Sequence, residues 1–256
     1  MTTSTGTAEL GDVAGWIRAA DRVVALSGAG VSTDSGIPDF RGPEGVWTVD
    51  PKAERLSSLQ HYMADPEIRK RAWQLRIEHP AWTAMPGSGH NALVKLERMG
   101  VLHTLITQNI DGLHQLAGTS PEILVEIHGT LRDVVCMTCG ERAPMQRALD
   151  RVRAGEEDPS CRTCGGILKS ATISFGQSLV AEDLERCRIA ASNCDLFIAI
   201  GTSLVVHPVA VLPQLALNAG ARLVIINAEL TPYDARADAV LRGRIKDILP
   251  VIADQV

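Results

Sequence analysis

Gly28-Ala29-Gly30-Val31-Ser32-Thr33-Asp34-Ser35-Gly36-Ile37-Pro38-Asp39-Phe40-Arg41 follows directly on Arg22-Val23-Val24-Ala25-Leu26-Ser27, and this junction decides the fold. An apolar run of strand length that delivers two closely spaced glycines into a loop outlines a phosphate cradle. Without Cβ atoms in the way, backbone N–H groups can approach an anion closely. The dinucleotide fingerprint G-x-G-x-x-G wants a third glycine where this chain has Thr33. Ordinary hydride chemistry is therefore disfavoured, and nucleotide binding in a different pose is expected.

Working outward, three more apolar runs read as buried strands: Leu105–Thr107, Leu196–Ile200 and Leu223–Ile226. Small polar clusters follow them, at Gln108-Asn109-Ile110-Asp111, Gly201-Thr202-Ser203 and Asn227-Ala228-Glu229. In an open parallel α/β sheet, ligands sit outside the carboxyl ends of the strands, so these clusters imply one shared crevice. Between the runs, Glu9–Ala20 and Asn91–Met99 have helical periodicity, the second stopped by Gly100. Two stretches interrupt the pattern. Residues 42–87 are richer in charge, Trp and Pro, and residues 131–169 hold paired cysteines. The expected fold class is α/β: a Rossmann-like parallel-sheet domain from residues 1–41, 88–130 and 170–256. The helical module 42–87 and the zinc-binding module 131–169 are expected to form an inserted smaller domain.

A chain of 256 residues with 45% hydrophobic content can bury a full core, and only 4% aromatics suits a parallel sheet under helices. The net charge of −5 supplies no general attraction to nucleic acid or acidic membrane. No basic residue precedes Arg18 and no long apolar core opens the chain, unlike a signal peptide. Leu196–Ala221 carries no Asp, Glu, Lys or Arg, but Gly201, His207, Pro208, Pro213 and Asn218 suit a strand, a turn and a helix better than a membrane span. The expectation is a soluble, cytoplasmic protein with no nucleic-acid or membrane partner; oligomeric state stays open.

Four of the six cysteines form two knuckles, Cys136-Met-Thr-Cys139-Gly140 and Cys161-Arg-Thr-Cys164-Gly165. Four thiolates make a closed tetrahedral set for one structural zinc, with no open position for a catalytic water. Cys187 and Cys194 lack partner spacing and read as small buried hydrophobes. Acids balance the arginines between the knuckles, so this ribbon presents no basic face to nucleic acid.

These motifs, with Gly36-Ile37-Pro38-Asp39-Phe40-Arg41, Thr107-Gln108-Asn109-Ile110-Asp111-Gly112-Leu113-His114, His128-Gly129, Phe175-Gly176 and Gly201-Thr202-Ser203, occur in the order seen in sirtuins. The chain resembles that family, the NAD-dependent protein-lysine deacylases, over nearly its whole length. Gly42–Thr48 and Ala92–Arg98 are most similar to the class IV branch.

The resemblance implies that Gly28, Ala29 and Gly30 cradle the pyrophosphate of NAD, with the loop through Asp39, Phe40, Arg41 and Trp47 closing over it. Gln108, Asn109 and Asp111 would surround the nicotinamide and its ribose. Gly201, Thr202 and Ser203 would meet phosphate and ribose, Asn227 and Glu229 the adenosine ribose, and Ile245 the adenine. His128 matches the catalytic histidine, a general base on a ribose hydroxyl, with Asn109 and Asp111 beside it. Acylated protein lysines would be the substrates, and free lysine, nicotinamide and O-acyl-ADP-ribose the products. Phe175, Gly176, Gln177 and Val206 would line the peptide site.

Two departures bear on specificity. Gln177 replaces the glutamate of the usual Phe-Gly-Glu, where a peptide is expected to add as a strand. Trp73-Gln74-Leu75-Arg76 is the nearest match to the Tyr-x-x-Arg pair of sirtuins that take acidic acyl groups. Trp73 and Arg76 are thus candidate acyl-group contacts, and neutral acyl groups, acetyl first, are expected over acidic ones. Trp47, Trp73 and Trp82 also read as core of the helical module, and His61, His79, His90 and His103 as surface or packing residues. Competing readings are a deacylase preferring longer or acidic acyl groups, a mono-ADP-ribosyltransferase on the same NAD site, a non-catalytic NAD-sensing module, and a dehydrogenase.

Overall fold

A computed structural model describes residues 7–40, 42, 45–49 and 57–256. Its centre is a six-stranded, all-parallel sheet of order β3-β2-β1-β7-β8-β9. The strands are β1 (Val23–Ser27), β2 (Leu102–Thr107), β3 (Leu124–Glu126), β7 (Leu196–Ile200), β8 (Arg222–Ile226) and β9 (Ala239–Leu241). Side-chain alternation along the central strands sends residues to two different cores. Val23, Ala25, Leu196, Ile198, Ile200, Val224 and Ile226 face the side covered by helices Thr7–Ala19, Ser88–Arg98 and Ile245–Gln255. Val24, Leu26, Phe197, Ala199, Leu223 and Ile225 face helices Ala181–Ser192 and Leu212–Asn218. Each fully buried Val, Leu, Ile or Phe contributes about 1.5–3 kcal/mol over its exposed state, so the three-layer sandwich is the stable body of the molecule.

The second sheet has three antiparallel strands in the order β5-β4-β6: β4 (Gly129–Cys136), β5 (Arg142–Pro144) and β6 (Leu168–Thr172). Helix Met145–Arg153 lays Met145, Ala148, Leu149 and Val152 on one stripe against Val134, Cys136 and Leu168. Trp73, from helix Pro66–Ile77, is buried in the same cluster, so the segments before and after β2 share one small core.

The sequence-based bounds needed adjustment at the edges. The first helix runs Thr7–Ala19, and the one placed at Asn91–Met99 begins at Ser88. It starts early because the His90 ring accepts the Gly87 N–H through Nδ1, a reverse cap that periodicity does not reveal. β3 and β9 went unseen: each is three residues long at a sheet edge, too short to alternate visibly. No helix among the described residues is long and apolar enough to cross a membrane. Cys187 and Cys194 are buried, as expected.

Candidate active site and metal centre

The sheet reverses its strand order at β1, whose neighbours β2 and β7 lead off in opposite directions. A crevice opens at such a switch point. Here it is a cleft of about 950 Å³ lined from every polar cluster that the sequence placed at a strand end.

Gly28 and Gly30 hold the cradle by close approach. A Cβ on Gly28 would lie 2.7 Å from the Gly201 carbonyl oxygen, and one on Gly30 would lie 2.7 Å from the Gly201 Cα. Their N–H groups are spent locally, donating to the carbonyls of Ile200 and Gly201, both at 2.9 Å. The cradle donor left over is Ala29, whose N–H has no protein partner among the described residues. Gly28 and Gly30 thus let the ends of β1 and β7 touch, with the Ala29 N–H between them. Gln108 Nε2 donates to Thr202 Oγ1 at 2.8 Å, bracing the end of β2 to the end of β7.

His128 faces this cleft from the turn between β3 and β4. Its Nδ1 lies 3.1 Å from the Gln108 carbonyl, which can only accept, so Nδ1 carries the proton. Nε2 is left with its lone pair, the arrangement a general base requires. Burial pushes its pKa below the usual histidine value, against the opposing pull of the Gln108 carbonyl.

Asn109 also lines the cleft, but Asp111 does not; it stands one hydroxyl behind. Ser32 Oγ donates to Asp111 Oδ2 at 2.7 Å and accepts from Asn109 Nδ2 at 3.2 Å. Asp111 Oδ1 accepts from the Leu113 N–H at 2.9 Å. Asp111 therefore orients Asn109 through Ser32. A second buried chain backs the first: Ser27 Oγ donates to Thr107 Oγ1, Thr107 Oγ1 accepts from the Asn109 N–H, and His114 Nε2 reaches Ser27 Oγ at 2.9 Å. Burial, aided by nearby His90, pushes the His114 pKa down to about 3, so this ring stays neutral. Ser32, Ser27 and His114 were quoted inside the motifs but given no role. His90, read as surface or packing, is fully buried and its Nε2 lies 3.4 Å from Ser32 Oγ. Their sequence signal was weak, because a serine or histidine becomes informative only when its buried partner is known.

Asp39, Phe40, Gly201, Thr202, Ser203, Val206, Asn227, Glu229, Ile245, Phe175, Gly176 and Gln177 all line the same cleft. Arg41 and the Trp47 side chain lie outside the described residues. Phe175 bonds through both its N–H and its carbonyl to Ser57 and Leu59, so one edge of this strand-like segment is used. The Gln177 side chain accepts from the Ser174 N–H at 3.2 Å and closes the turn. Trp73 and Arg76 are not brought to the cleft. Trp73 is fully buried in the small core, and Arg76 Nη2 donates to Ser170 Oγ at 2.9 Å behind β6, its guanidinium 5.1 Å from the Trp73 ring. The physical reason is helix Pro66–Ile77, which turns that face toward the antiparallel sheet.

Away from the cleft, the sulfurs of Cys136, Cys139, Cys161 and Cys164 all lie within 4.8 Å of one another. A tetrahedral zinc with bonds of ~2.3 Å requires sulfurs about 3.8 Å apart. The Cys136–Cys164 and Cys139–Cys161 pairs stand at 3.5 and 3.8 Å, so the four fit the ion. The N–H groups of Cys139 and Thr138 point at Cys136 Sγ and lower its pKa to about 6, while the pKa values of Cys139, Cys161 and Cys164 are raised. Gly140 and Gly165 take φ of +75° and +72°, turning the chain back after each knuckle.

With this geometry, comparison with known proteins is specific. The Sir2 family pattern matches residues 28–208. The chain is 52% identical over 230 residues to NAD-dependent protein deacetylase 2 of Streptomyces coelicolor, covering 90% of this chain and 95% of that protein. It is 42% identical to NAD-dependent protein deacetylase 1 of Pyrobaculum aerophilum, covering 98% and 96%. Among solved structures, a Sir2 variant with a deacetylated peptide and 3′-O-acetyl ADP ribose superimposes with a TM-score of 0.89 at 29% identity, covering 96% of this chain and 98% of that one. Sir2Tm bound to a propionylated peptide superimposes with a TM-score of 0.86 at 28% identity, with the same coverage.

Proposed function

This chain belongs to the Sir2 family, and on that footing we infer that it is an NAD-dependent protein-lysine deacylase acting chiefly on acetyl-lysine. NAD is its co-substrate, and one zinc held by Cys136, Cys139, Cys161 and Cys164 is structural. The observation that carries the reaction is His128, which lines the cleft with its proton fixed on Nδ1 and its Nε2 left with a lone pair.

When bound, NAD would supply a ribose carbon to which the acyl oxygen can bond as nicotinamide leaves. The chain's part is to hold and to move protons. The end-to-end contact of Gly30 with Gly201 and the Ala29 N–H would seat the pyrophosphate, with Asp39 and Phe40 above it, and with Arg41 and Trp47 completing the cover. Thr202 and Ser203 would meet phosphate and ribose. Asn227 and Glu229, at the end of β8, would accept from adenosine ribose hydroxyls, with Ile245 against the base. Asn109, steadied by Ser32 and Asp111, would orient the nicotinamide half, and His128 Nε2 would take a ribose hydroxyl proton. The peptide would add along Phe175, Gly176 and Gln177, with Val206 lining the same cleft. Arg76 is held behind β6 by Ser170, which supports a preference for neutral over acidic acyl groups. Acylated proteins of the cytoplasm are the proposed partners.

Mass spectrometry of wild type and His128→Ala with an acetyl-lysine peptide, with and without NAD, tests this reading. The expected result is deacetylated peptide plus O-acetyl-ADP-ribose from wild type alone, and only with NAD. NAD cleavage that leaves the acetyl group in place and labels protein instead would overturn it in favour of ADP-ribosyl transfer.

A further inference from the structure

Segment 127–132 runs beside the motif 107–111 and takes its carbonyls almost in order. Ile127 N–H donates to Thr107, His128 Nδ1 to Gln108, and Leu131 N–H to Ile110, the last at 2.8 Å. The carbonyl at the end of this zipper, that of Asp111, is taken by the Arg132 side chain. Nε and Nη2 of Arg132 both donate to it, at 3.0 and 2.7 Å. Nη2 also donates to the Ala81 carbonyl at 3.0 Å, and the guanidinium sits 5.3 Å from the centre of the Trp82 ring. Gly112 makes room for this: a Cβ there would lie 2.7 Å from Arg132 Nε.

One side chain thus joins three parts of the chain. Arg132 lies on β4, the strand that carries the zinc ligand Cys136; Ala81 and Trp82 belong to the short turn Pro80–Trp82; Asp111 ends the cleft motif that follows β2. Asp111 reaches the cleft only through Ser32 and Asn109. Its carboxylate is placed by Ser32 and Leu113, whereas Arg132 is what places its backbone against the small domain. A forked guanidinium gives two donors to one carbonyl and a third to another, which an ammonium on a flexible stem cannot reproduce.

We propose that Arg132 is a positioning residue for the nicotinamide half of the co-substrate, locking the Asp111–Ser32–Asn109 chain to the zinc-bearing strand. The proposal rests on the deacylase reading and adds to it a residue that touches neither substrate nor metal. Loss of the fork lets the Asp111 turn shift and takes Asn109 out of line, with His128 and the four cysteines in place. The predicted signature is a higher KM for NAD and weaker nicotinamide inhibition, larger than any change in kcat.

The test uses the zinc-loaded full chain as wild type, Arg132→Lys and Arg132→Gln, with NAD affinity measured by calorimetry beside the steady-state constants. Since bonds from a charged donor are the stronger ones, Arg132→Gln is expected to raise KM and Kd for NAD about tenfold and Arg132→Lys about threefold. The half-inhibitory nicotinamide concentration is expected to rise in the same order, with zinc content unchanged. Equal NAD affinity and equal nicotinamide sensitivity in all three proteins would overturn the proposal. So would equal loss of zinc and of thermal stability in both variants, because the role would then be scaffolding alone. Wild type that binds NAD but removes no acetyl group would sink the deacylase reading instead, and calorimetry would still rank the three proteins.

Discussion

The cleft at the carboxyl ends of the parallel strands and the four-cysteine cluster hold their shape by opposite means. The cleft rests on two large cores, one on each face of a six-stranded sheet, and its polar groups are fixed by protein–protein hydrogen bonds such as Ser32 to Asp111 and Gln108 to Thr202. The cluster stands on a three-stranded sheet, one amphipathic helix and a small core around Trp73. A core so small supports little structure unaided, and metal binding adds to its folding free energy directly. Precision at the cleft comes from packing and hydrogen bonds; integrity of the small sheet is expected from the zinc that its four thiolates fit.

The sharpest way to break that contrast is to remove the metal. Chelation or Cys136→Ser is expected to abolish deacylation, because β4 carries both Cys136 and the Gly129 turn next to His128, while the parallel core persists. Circular dichroism and hydrogen exchange would show protection lost over 131–169 and kept in β1, β7 and β8; loss throughout would refute the division. The next largest effect is at the cradle. Gly30→Ala drives a Cβ into the Gly201 backbone, and such overpacking costs ~1–3 kcal/mol. KM for NAD should rise about fivefold or more with zinc retained, so an unchanged KM would mean the two strand ends can part freely.

Smaller effects separate chemistry from stability. Burial holds the His128 pKa below its usual value, so the acid limb of kcat/KM should lie below pH 6.5, and a limb at or above it contradicts the site geometry. His114 reports on stability instead. Its folded pKa is lowered to about 3, so the unfolded chain takes the proton first and stability falls as pH drops below 6.5. Between pH 7 and pH 5 that loss is about 2 kcal/mol. His114→Asn should flatten this slope in urea titrations at the two pH values while leaving the zinc module unaffected; an unchanged slope would place the acid sensitivity elsewhere.

Much of this arrangement was legible in the chain. Val23–Leu26, Leu196–Ile200 and Leu223–Ile226 are apolar because strands buried on both faces must be, and the glycines and amides after them mark strand ends. The knuckles declare their ligand because four thiolates at that spacing suit little besides a tetrahedral metal. Asp111, Trp73 and Arg76 were less transparent. Asp111 acts one hydroxyl away from the cleft, and Trp73 and Arg76 serve the small core, outcomes that depend on which way a short loop or a helix face turns.

What the sequence determined alone was therefore whatever is written in local pattern: the parallel α/β core, the shared crevice and the zinc set, whereas His128 came only from the family resemblance. Only the tertiary structure decided that Gly28 and Gly30 work by packing against Gly201, that Ser32 links Asp111 to Asn109, and that Arg132 latches the motif to the small sheet. The reason is physical: periodicity and spacing record a residue's relation to its neighbours in the chain, whereas a hydrogen bond between Asp111 and Ser32 exists only once two strand ends have been brought side by side.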